Sequence, residues 1–337
     1  MKVDSLTASQ CFAIANEITK CPDYQALTHQ FIEILENFCW VDSASAFEIF
    51  SHRKQRNAEI DSDKVLVRKF PLDFATDENR DDCPLLSSHP IPKHIELHPD
   101  PDNEDCSIAI LPITSELGPG RALLVHGTFK QDELELLEQL LALYRNQVLL
   151  HDRKERDVLT RLPNRQSFEA RLTEVCEFYQ KQLAVDQQDE RTSWIAILDI
   201  DHFKAVNDNF GHLYGDEVLL HFSQLMEQKF RHIDFIFRFG GEEFVVIVNR
   251  VTKKEAELIL NRFRLDVERY AFPLVGKITV STGATCIQRG RLPSTLLDSA
   301  DKALYYAKEH GRNRVVLFEN IENAQSAGDA NDDVELF

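Results

Sequence analysis

Two adjacent carboxylates, Glu242 and Glu243, follow Gly240 and Gly241 in the stretch FIFRFGGEEFVVIV, residues 235–248. Apolar runs flank them on both sides, which predicts a buried β-hairpin with an acidic tip at a sheet edge. The strand WIAILDI, 194–200, is nearly all apolar, reads as central, and ends in Asp199 with Asp201 just beyond. Carboxylates from two neighbouring strand ends are hard oxygen donors and suit Mg²⁺, which keeps phosphate oxygens in its remaining positions. Such a site serves metal-assisted phosphoryl or nucleotidyl transfer. The glycines permit positive φ and leave no Cβ in the way of a ligand approaching the backbone. Further on, KEHGRNR (308–314) places Lys308 at a helix end and Arg312 just past a glycine, positioned to hold a triphosphate. Each feature also has a plainer reading. An acidic tip keeps a sheet edge soluble, and basic residues before a glycine favour an ordinary helix stop.

The elements that must position these groups alternate clearly in the second half. Helices are predicted at 165–182, 215–232, 252–271 and 293–310, with strands at 194–200, 277–287 and 314–319 around the hairpin. The order β-α-β-β-α-β with an added terminal strand implies an α/β (α+β) fold with a sheet carrying helices on one face. A polar insertion, AVDQQDERTS, separates the first helix from the first strand. The tail from Asn320 to Phe337 is acidic, rich in small residues, and reads as disordered.

The first half reads differently. Residues 8–38 predict two helices, SASAFEIF (43–50) and KVLVRKFPL (64–72) predict strands, and CSIAILPI with RALLVHG predicts a hairpin across TSELGPG. Between about 51 and 104 the chain is polar and broken by six prolines, from Pro71 to Pro101. His89, His94 and His98 with Cys83 raise a haem or metal site, His94 and His98 sharing a helix face at i, i+4; solvated loop histidines are the plainer reading. Residues 131–157 lack Gly and Pro and predict one long helix. Leu134, Leu137, Leu141, Tyr144 and Val148 are spaced as a short heptad seam, which serves either packing on its own domain or a parallel dimer.

At 337 residues, with 43% hydrophobic and 28% charged residues, the chain accommodates two globular domains. A net charge of −18 argues against a DNA-binding protein, although a small anionic ligand remains compatible through local cations or a metal. Seven scattered cysteines without a CxxC pair read as reduced, mostly buried thiols. No apolar run spans a bilayer and no secretory signal opens the chain, so a cytoplasmic location without membrane insertion is expected.

Over about residues 155–319 the sequence resembles the GGDEF family, the diguanylate cyclases. DVLTRLPNR, DIDHFKAVNDNFGH, GDEVL, RFGGEEF and ADKALYYAKEHGRNRV stand in the family's order and spacing. The resemblance implies a catalytic domain with a ferredoxin-like, palm-like βαββαβ core at 158–319. It implies condensation of two GTP into cyclic di-GMP and two pyrophosphates, by a homodimer whose half-sites face each other. Mg²⁺, with Mn²⁺ as an alternative, would be held by Asp199, Glu242 and the Ile200 carbonyl. Glu242 and Glu243 would be catalytic, and Lys204 would offset transition-state charge. Phe203, Asn207, His212, Asp216, Gly241, Lys308 and Arg312 would bind the nucleotide. Asn207 and Asp216 match the positions that read guanine; Asp216 also reads as a helix N-cap. RHID places Arg231 and Asp234 at the family's RxxD spacing, where cyclic di-GMP would bind as an inhibitor; the pair also reads as a surface ion pair. Arg161 stands where the family usually has a small residue, often glycine. Residues 1–129 resemble a GAF-type sensory domain in architecture, with an unknown ligand or protein as its partner and 130–157 as the connecting signalling helix.

Overall fold

The computed structural model describes residues 2–3, 6–50, 66–70, 83–87, 91–113, 119–181 and 191–321. His89, the loop tip 114–118, most of the polar insertion and nearly all of the acidic tail lie outside them. The chain forms two compact units, Met1–Arg156 and Asp157–Phe337.

The first unit begins with α1 (Ala8–Thr19) and α2 (Tyr24–Glu36). Thr7 and Gln10 form a capping box on α1, and the Asp23 carboxylate caps α2 by accepting from the Ala26 amide. There follow β1 (Val41–Phe50), β2 (Leu66–Phe70), a short α3 (Pro84–Ser87), β3 (Glu96–Asp100), β4 (Asn103–Ile113), β5 (Gly120–Gly127) and α4 (Gln131–Glu155). The strands form one sheet in the order β2-β1-β5-β4-β3, antiparallel at every pair.

Strand β3 corrects the expected helix through His94 and His98. His98 lies in a strand paired with Ile108 of β4, and His94 precedes that strand, so the two share no helix face. Pro99 obscured the strand in the sequence; it is tolerated because β3 is an edge strand.

Helix α4 packs on its own unit. Leu137, Leu140, Leu141, Tyr144 and Val148 are buried in the core that α2 and one sheet face complete. Tyr144 stacks on Phe31 at 4.3 Å, and its hydroxyl lies 2.8 Å from Thr28 Oγ1. Four of the five heptad residues are therefore spent on the first unit's core, and α4's opposite face carries Glu135, Glu138, Gln139 and Asn146, all exposed. This corrects the parallel-dimer reading of the seam. The end of α4 is fixed by a buried ion network: Arg121 of β5 donates to both Asp152 oxygens at 2.6 and 2.8 Å, and Glu48 pairs with Arg68.

The second unit comprises α5 (Arg165–Lys181), β6 (Thr192–Ile200), α6 (Phe203–Phe210), α7 (His212–Lys229), β7 (Phe235–Gly240), β8 (Glu243–Val251), α8 (Lys253–Arg269), β9 (Val280–Cys286), α9 (Pro293–Glu309) and β10 (Val315–Leu317). Its sheet runs β10-β9-β6-β8-β7, with only β10 parallel to its neighbour. The one helix expected after β6 is two, α6 and α7, hinged at Gly211.

Helices cover both faces of this sheet, not one. Trp194, Ala196, Leu198, Val246 and Val248 share a core with α7 and α8. The alternate residues Ile195, Ile197, Val245 and Ile247 are equally buried. On their side, Phe168 of α5 packs edge-on against Phe237, 5.3 Å between centroids. A Cβ at Gly283 of β9 would stand 2.0 Å from the Leu304 nitrogen, so α9 lies directly on the strand. Uninterrupted apolar strands need cover on both sides.

Among the described residues only Cys176 and Cys286 are buried; Cys11 and Cys39 are exposed, which corrects the expectation of mostly buried thiols. Burial pushes the two inner thiols up to about 11 and about 12. No helix among the described residues is long and apolar enough to cross a membrane.

Candidate active site

The antiparallel register of β6 and β8 sets Asp199 directly opposite Glu243. The Ile200 amide reaches the Glu242 carbonyl at 3.4 Å, which carries the pairing one residue further into the turn. Gly241 takes a φ of +44°, and neither Gly240 nor Gly241 has any atom within 4 Å of where a Cβ would stand. The face of the glycine turn is open. A cleft of about 370 Å³ lies beside it, lined by Arg165, Arg238, Gly240 and Gly241 among others, while Asp199 and Lys308 are not part of its lining.

Lys308, in the last turn of α9, reaches across to Asp199 with Nζ 2.8 Å from Oδ2. The close seating of α9 on β9 delivers it there. Asp199 is 6% exposed, and burial raises its pKa although Lys308 pulls the other way. Burial, then repulsion from Asp199, likewise raises Glu242 and Glu243. Lys308 is the cation common to all three acids, which resist full ionisation together.

Among the described residues no three Asp, Glu, His or Cys side chains close into a cage for a metal ion. The donor chemistry nevertheless fits a hard divalent cation: three carboxylates at adjoining strand ends, mutually repelling, with all-oxygen ligation on offer.

Asp201 does different work. Its carboxylate accepts from Thr279 Oγ1 and Ser281 Oγ, each at 2.7 Å, and from the Asn313 amide at 3.0 Å. It thereby fastens the loop carrying Arg312 to the end of β6. Asn313 is held again by Arg264 and Glu268 of α8, both at 2.8 Å, and Arg312 and Asn313 both take left-handed φ.

Other expected nucleotide contacts sit on α6 and α7. Phe203 is buried, and Lys204, His212 and Asp216 are exposed. The half-buried Asn207 lies against the Gly215 backbone, next to Asp216, so the two expected guanine readers are brought together. Arg231 and Asp234 lie in the turn before β7, paired with each other at 2.9 Å.

The sequence reading missed Arg238. Its guanidinium donates to Asp157 at 2.8 Å and to the Gly241 carbonyl at 2.9 and 3.2 Å, tying the hairpin tip to the first residue of the unit. Both partners stood in quoted motifs, and an arginine two residues before a glycine turn was the available signal. Arg161 takes φ +63°, which explains why a small residue suits that position.

The model of the family described as "Diguanylate cyclase, GGDEF domain" matches residues 154–314. The second unit carries a GGDEF domain. The chain is 37% identical over 172 residues to diguanylate cyclase DgcP of Pseudomonas aeruginosa, covering 49% of this chain and 25% of that protein. It is 40% identical over 126 residues to the response regulator PleD of Caulobacter vibrioides, covering 36% of this chain and 28% of PleD. The chain thus spans only about a quarter of the length of either relative. Among solved structures, the GGDEF domain of DgcB from Caulobacter crescentus, in complex with c-di-GMP, is 33% identical; 49% of this chain and 96% of that one are covered, with a TM-score of 0.44.

Proposed function

We propose that the GGDEF domain makes this protein a diguanylate cyclase, joining two GTP into cyclic di-GMP with release of two pyrophosphates. The observation that carries the reading is the cross-strand placement of Asp199 opposite Glu243, with Glu242 in an open glycine turn and Lys308 reaching in from α9. The family match over the same residues supports it.

In each half-reaction the 3′-hydroxyl oxygen of one GTP bonds to the α-phosphorus of the other. The bond to the β-phosphate oxygen breaks, pyrophosphate leaves, and the hydroxyl proton passes to a base. Glu242 suits that task because burial and Asp199 raise its proton affinity. Asp199, Glu242 and the Ile200 carbonyl are the groups that would hold Mg²⁺ or Mn²⁺. When bound, the metal would polarise the α-phosphate and acidify the hydroxyl. Lys308 and Arg312 bring positive charge to the triphosphate, and Lys204 offsets charge that grows during transfer. Asp216 with Asn207 selects guanine, because a carboxylate accepts from N1–H and N2–H together, a pair adenine lacks. Glu243 stays beside Asp199 as the second carboxylate of the pair.

One chain supplies one such set of groups and the product contains two nucleotides, so two copies must face each other. The first unit, GAF-like in architecture, would set whether they do, in response to a ligand or protein partner. Cyclic di-GMP would inhibit by binding at Arg231 and Asp234. Purified protein incubated with Mg²⁺ and GTP, then with ATP, should yield cyclic di-GMP from GTP alone, identified by mass. No cyclic dinucleotide at any protein concentration would overturn the reading.

A further inference from the structure

Gly311, Arg312 and Asn313 follow α9 with φ of +102°, +56° and +46°. The left-handed region costs an arginine free energy that its own side chain does not return. Such a run persists only where the surroundings hold it. Close at hand, the Arg312 amide donates to the Ala307 carbonyl at 3.0 Å, and the Arg312 carbonyl accepts from Arg314 Nε at 3.2 Å. The longer-range hold comes through Asn313. Its amide donates to Asp201 Oδ2 at 3.0 Å, its Oδ1 accepts from Arg264 Nη1 at 2.8 Å, and its Nδ2 donates to Glu268 Oε1 at 2.8 Å.

Arg264 and Glu268 stand four residues apart on α8 and pair with each other at 3.1 Å. The Asn313 carboxamide fits them in one orientation, its oxygen to the guanidinium and its nitrogen to the carboxylate. The Asn313 bond and, against some burial, Arg264 hold Glu268 below the ordinary carboxylate range, so both sides of the grip are charged. Phe263 and Val267, the residues just before them, are buried in the core and fix the helix under the pair. Helix α8 carries none of the groups proposed to meet the nucleotide, and it lies on the sheet face opposite α9. Arg312 itself is exposed, and its charge acts on Asp199, though less than burial, Lys308 and Asp201 do.

We infer that Arg264 and Glu268 are positioning residues for the substrate: gripping Asn313 from α8, they hold the left-handed backbone of Arg312 and so set how tightly the protein takes the triphosphate of GTP. This deepens the proposed function and rests on its placing of Arg312 at the triphosphate. An arginine whose backbone is already fixed gives up less freedom when it meets a phosphate. The pair acts on the phosphate end of the nucleotide alone, because Asn207 and Asp216 sit on α6 and α7 and owe nothing to the loop after α9.

The test compares Glu268→Ala, Arg264→Ala and the conservative Glu268→Gln in the full chain. Binding of GTP by calorimetry, KM and kcat for GTP, and binding of guanosine, which has no phosphate, are read side by side. Both alanine variants should weaken GTP binding and raise KM about threefold to tenfold, with kcat and guanosine binding within about twofold of wild type. Glu268→Gln should stay within about twofold throughout, because its amide oxygen still accepts from Asn313. Combined with Arg312→Ala, Glu268→Ala should add nothing, since its effect passes through that arginine. Unchanged GTP binding in both alanine variants overturns the inference. So does a parallel loss of guanosine binding, which would make the pair a general support of the fold, or a full additional loss on top of Arg312→Ala. If Arg312→Ala alone leaves GTP binding unchanged, Arg312 does not meet the triphosphate and the inference falls with that placing. A wild type that binds GTP without making cyclic di-GMP would instead sink the cyclase reading, and the binding comparison would still decide the role of the pair.

Discussion

Replacing Lys308 with methionine tests the electrostatics of the site most directly. The change keeps the aliphatic stem and removes the ammonium that stands 2.8 Å from Asp199. Asp199 keeps 8% of its side chain exposed and Lys308 33%, so the pair is neither fully buried nor a surface pair. Breaking a fully buried pair costs about 3–5 kcal/mol, and exposed pairs are worth at most about 1. Partial screening puts Lys308→Met at roughly 1–2 kcal/mol, or about 2–8 °C in the melting of a unit this size. The pH dependence gives the sign. Asp199, Glu242 and Glu243 all have folded pKa values above the ordinary carboxylate range, so the native state binds protons more readily than the unfolded chain. Their contribution therefore falls as pH rises through that window, from about 4 upward, and levels off above it. Without Lys308 the shifts grow. The deficit should be full at pH 8, shrink towards pH 4 as the three acids protonate, and be partly repaired at pH 8 by millimolar Mg²⁺. Calorimetric melting of the full chain across that range reads all three effects. A deficit equal at pH 5 and pH 8 and untouched by Mg²⁺ would mean that Lys308 only packs, and the shared-cation argument would fall.

Glu242→Gln should lower turnover at least about 100-fold while leaving the melting temperature unchanged or slightly higher, since it removes a carboxylate already strained by burial; rate and melting measured on one preparation check both. Arg161→Gly should stabilise by about 0.5–1 kcal/mol in denaturant melts, because relieving a side chain at φ +63° gains more than is lost through glycine's added freedom, which favours the unfolded chain. Arg121→Met in the first unit should destabilise by about 3–5 kcal/mol by leaving Asp152 buried without its bidentate partner, and the double change with Asp152→Leu should recover much of that loss.

What the sequence revealed and what it hid divide along one physical line. Asp199, Glu242 and Glu243 were legible because uninterrupted apolar strands announce a buried sheet, and a Gly-Gly turn announces where it reverses. The same apolar runs already required cover on both faces, a consequence the expected one-sided arrangement overlooked. Strand β3 was hidden because proline argues against a strand unless the strand is known to be an edge, which only the assembled sheet reveals. The Arg238–Asp157 bond was hidden because its partners lie 81 residues apart and no local pattern pairs them. The heptad along α4 was seen but its partner was not: a 3-4 spacing says that a stripe is buried, never against what. Asn249 was invisible for a simpler reason: a lone polar residue near the end of an apolar strand reads as exposed, yet Asn249 is buried and bonded to Ser193, Arg231, Ile233 and Asp234.

The two aspartates at the end of β6 show how one strand terminus divides its labour. They are two residues apart and of one chemistry, and what separates them is the supply of donors. Asp201 meets two hydroxyls and a backbone amide, all from protein, and is satisfied before any ligand arrives. Asp199 meets one flexible ammonium, from a side chain that a triphosphate would also attract. A carboxylate saturated by the fold builds the site, and one held by an exchangeable cation is left to act in it. The loop Asp201 fastens carries Arg312, and the helix before that loop carries Lys308. Asp201 therefore fixes Arg312, one of the two cations proposed to meet the triphosphate, at the same strand end as Asp199, and α8, through Arg264 and Glu268 on Asn313, braces that loop from the helix layer. Arg238 makes the matching tie on the other strand, holding the glycine turn to the start of the unit. The end of β6 and the tip of the acidic hairpin are thus each tied down by groups other than the three carboxylates, which is what a site of repelling carboxylates requires to stay in register.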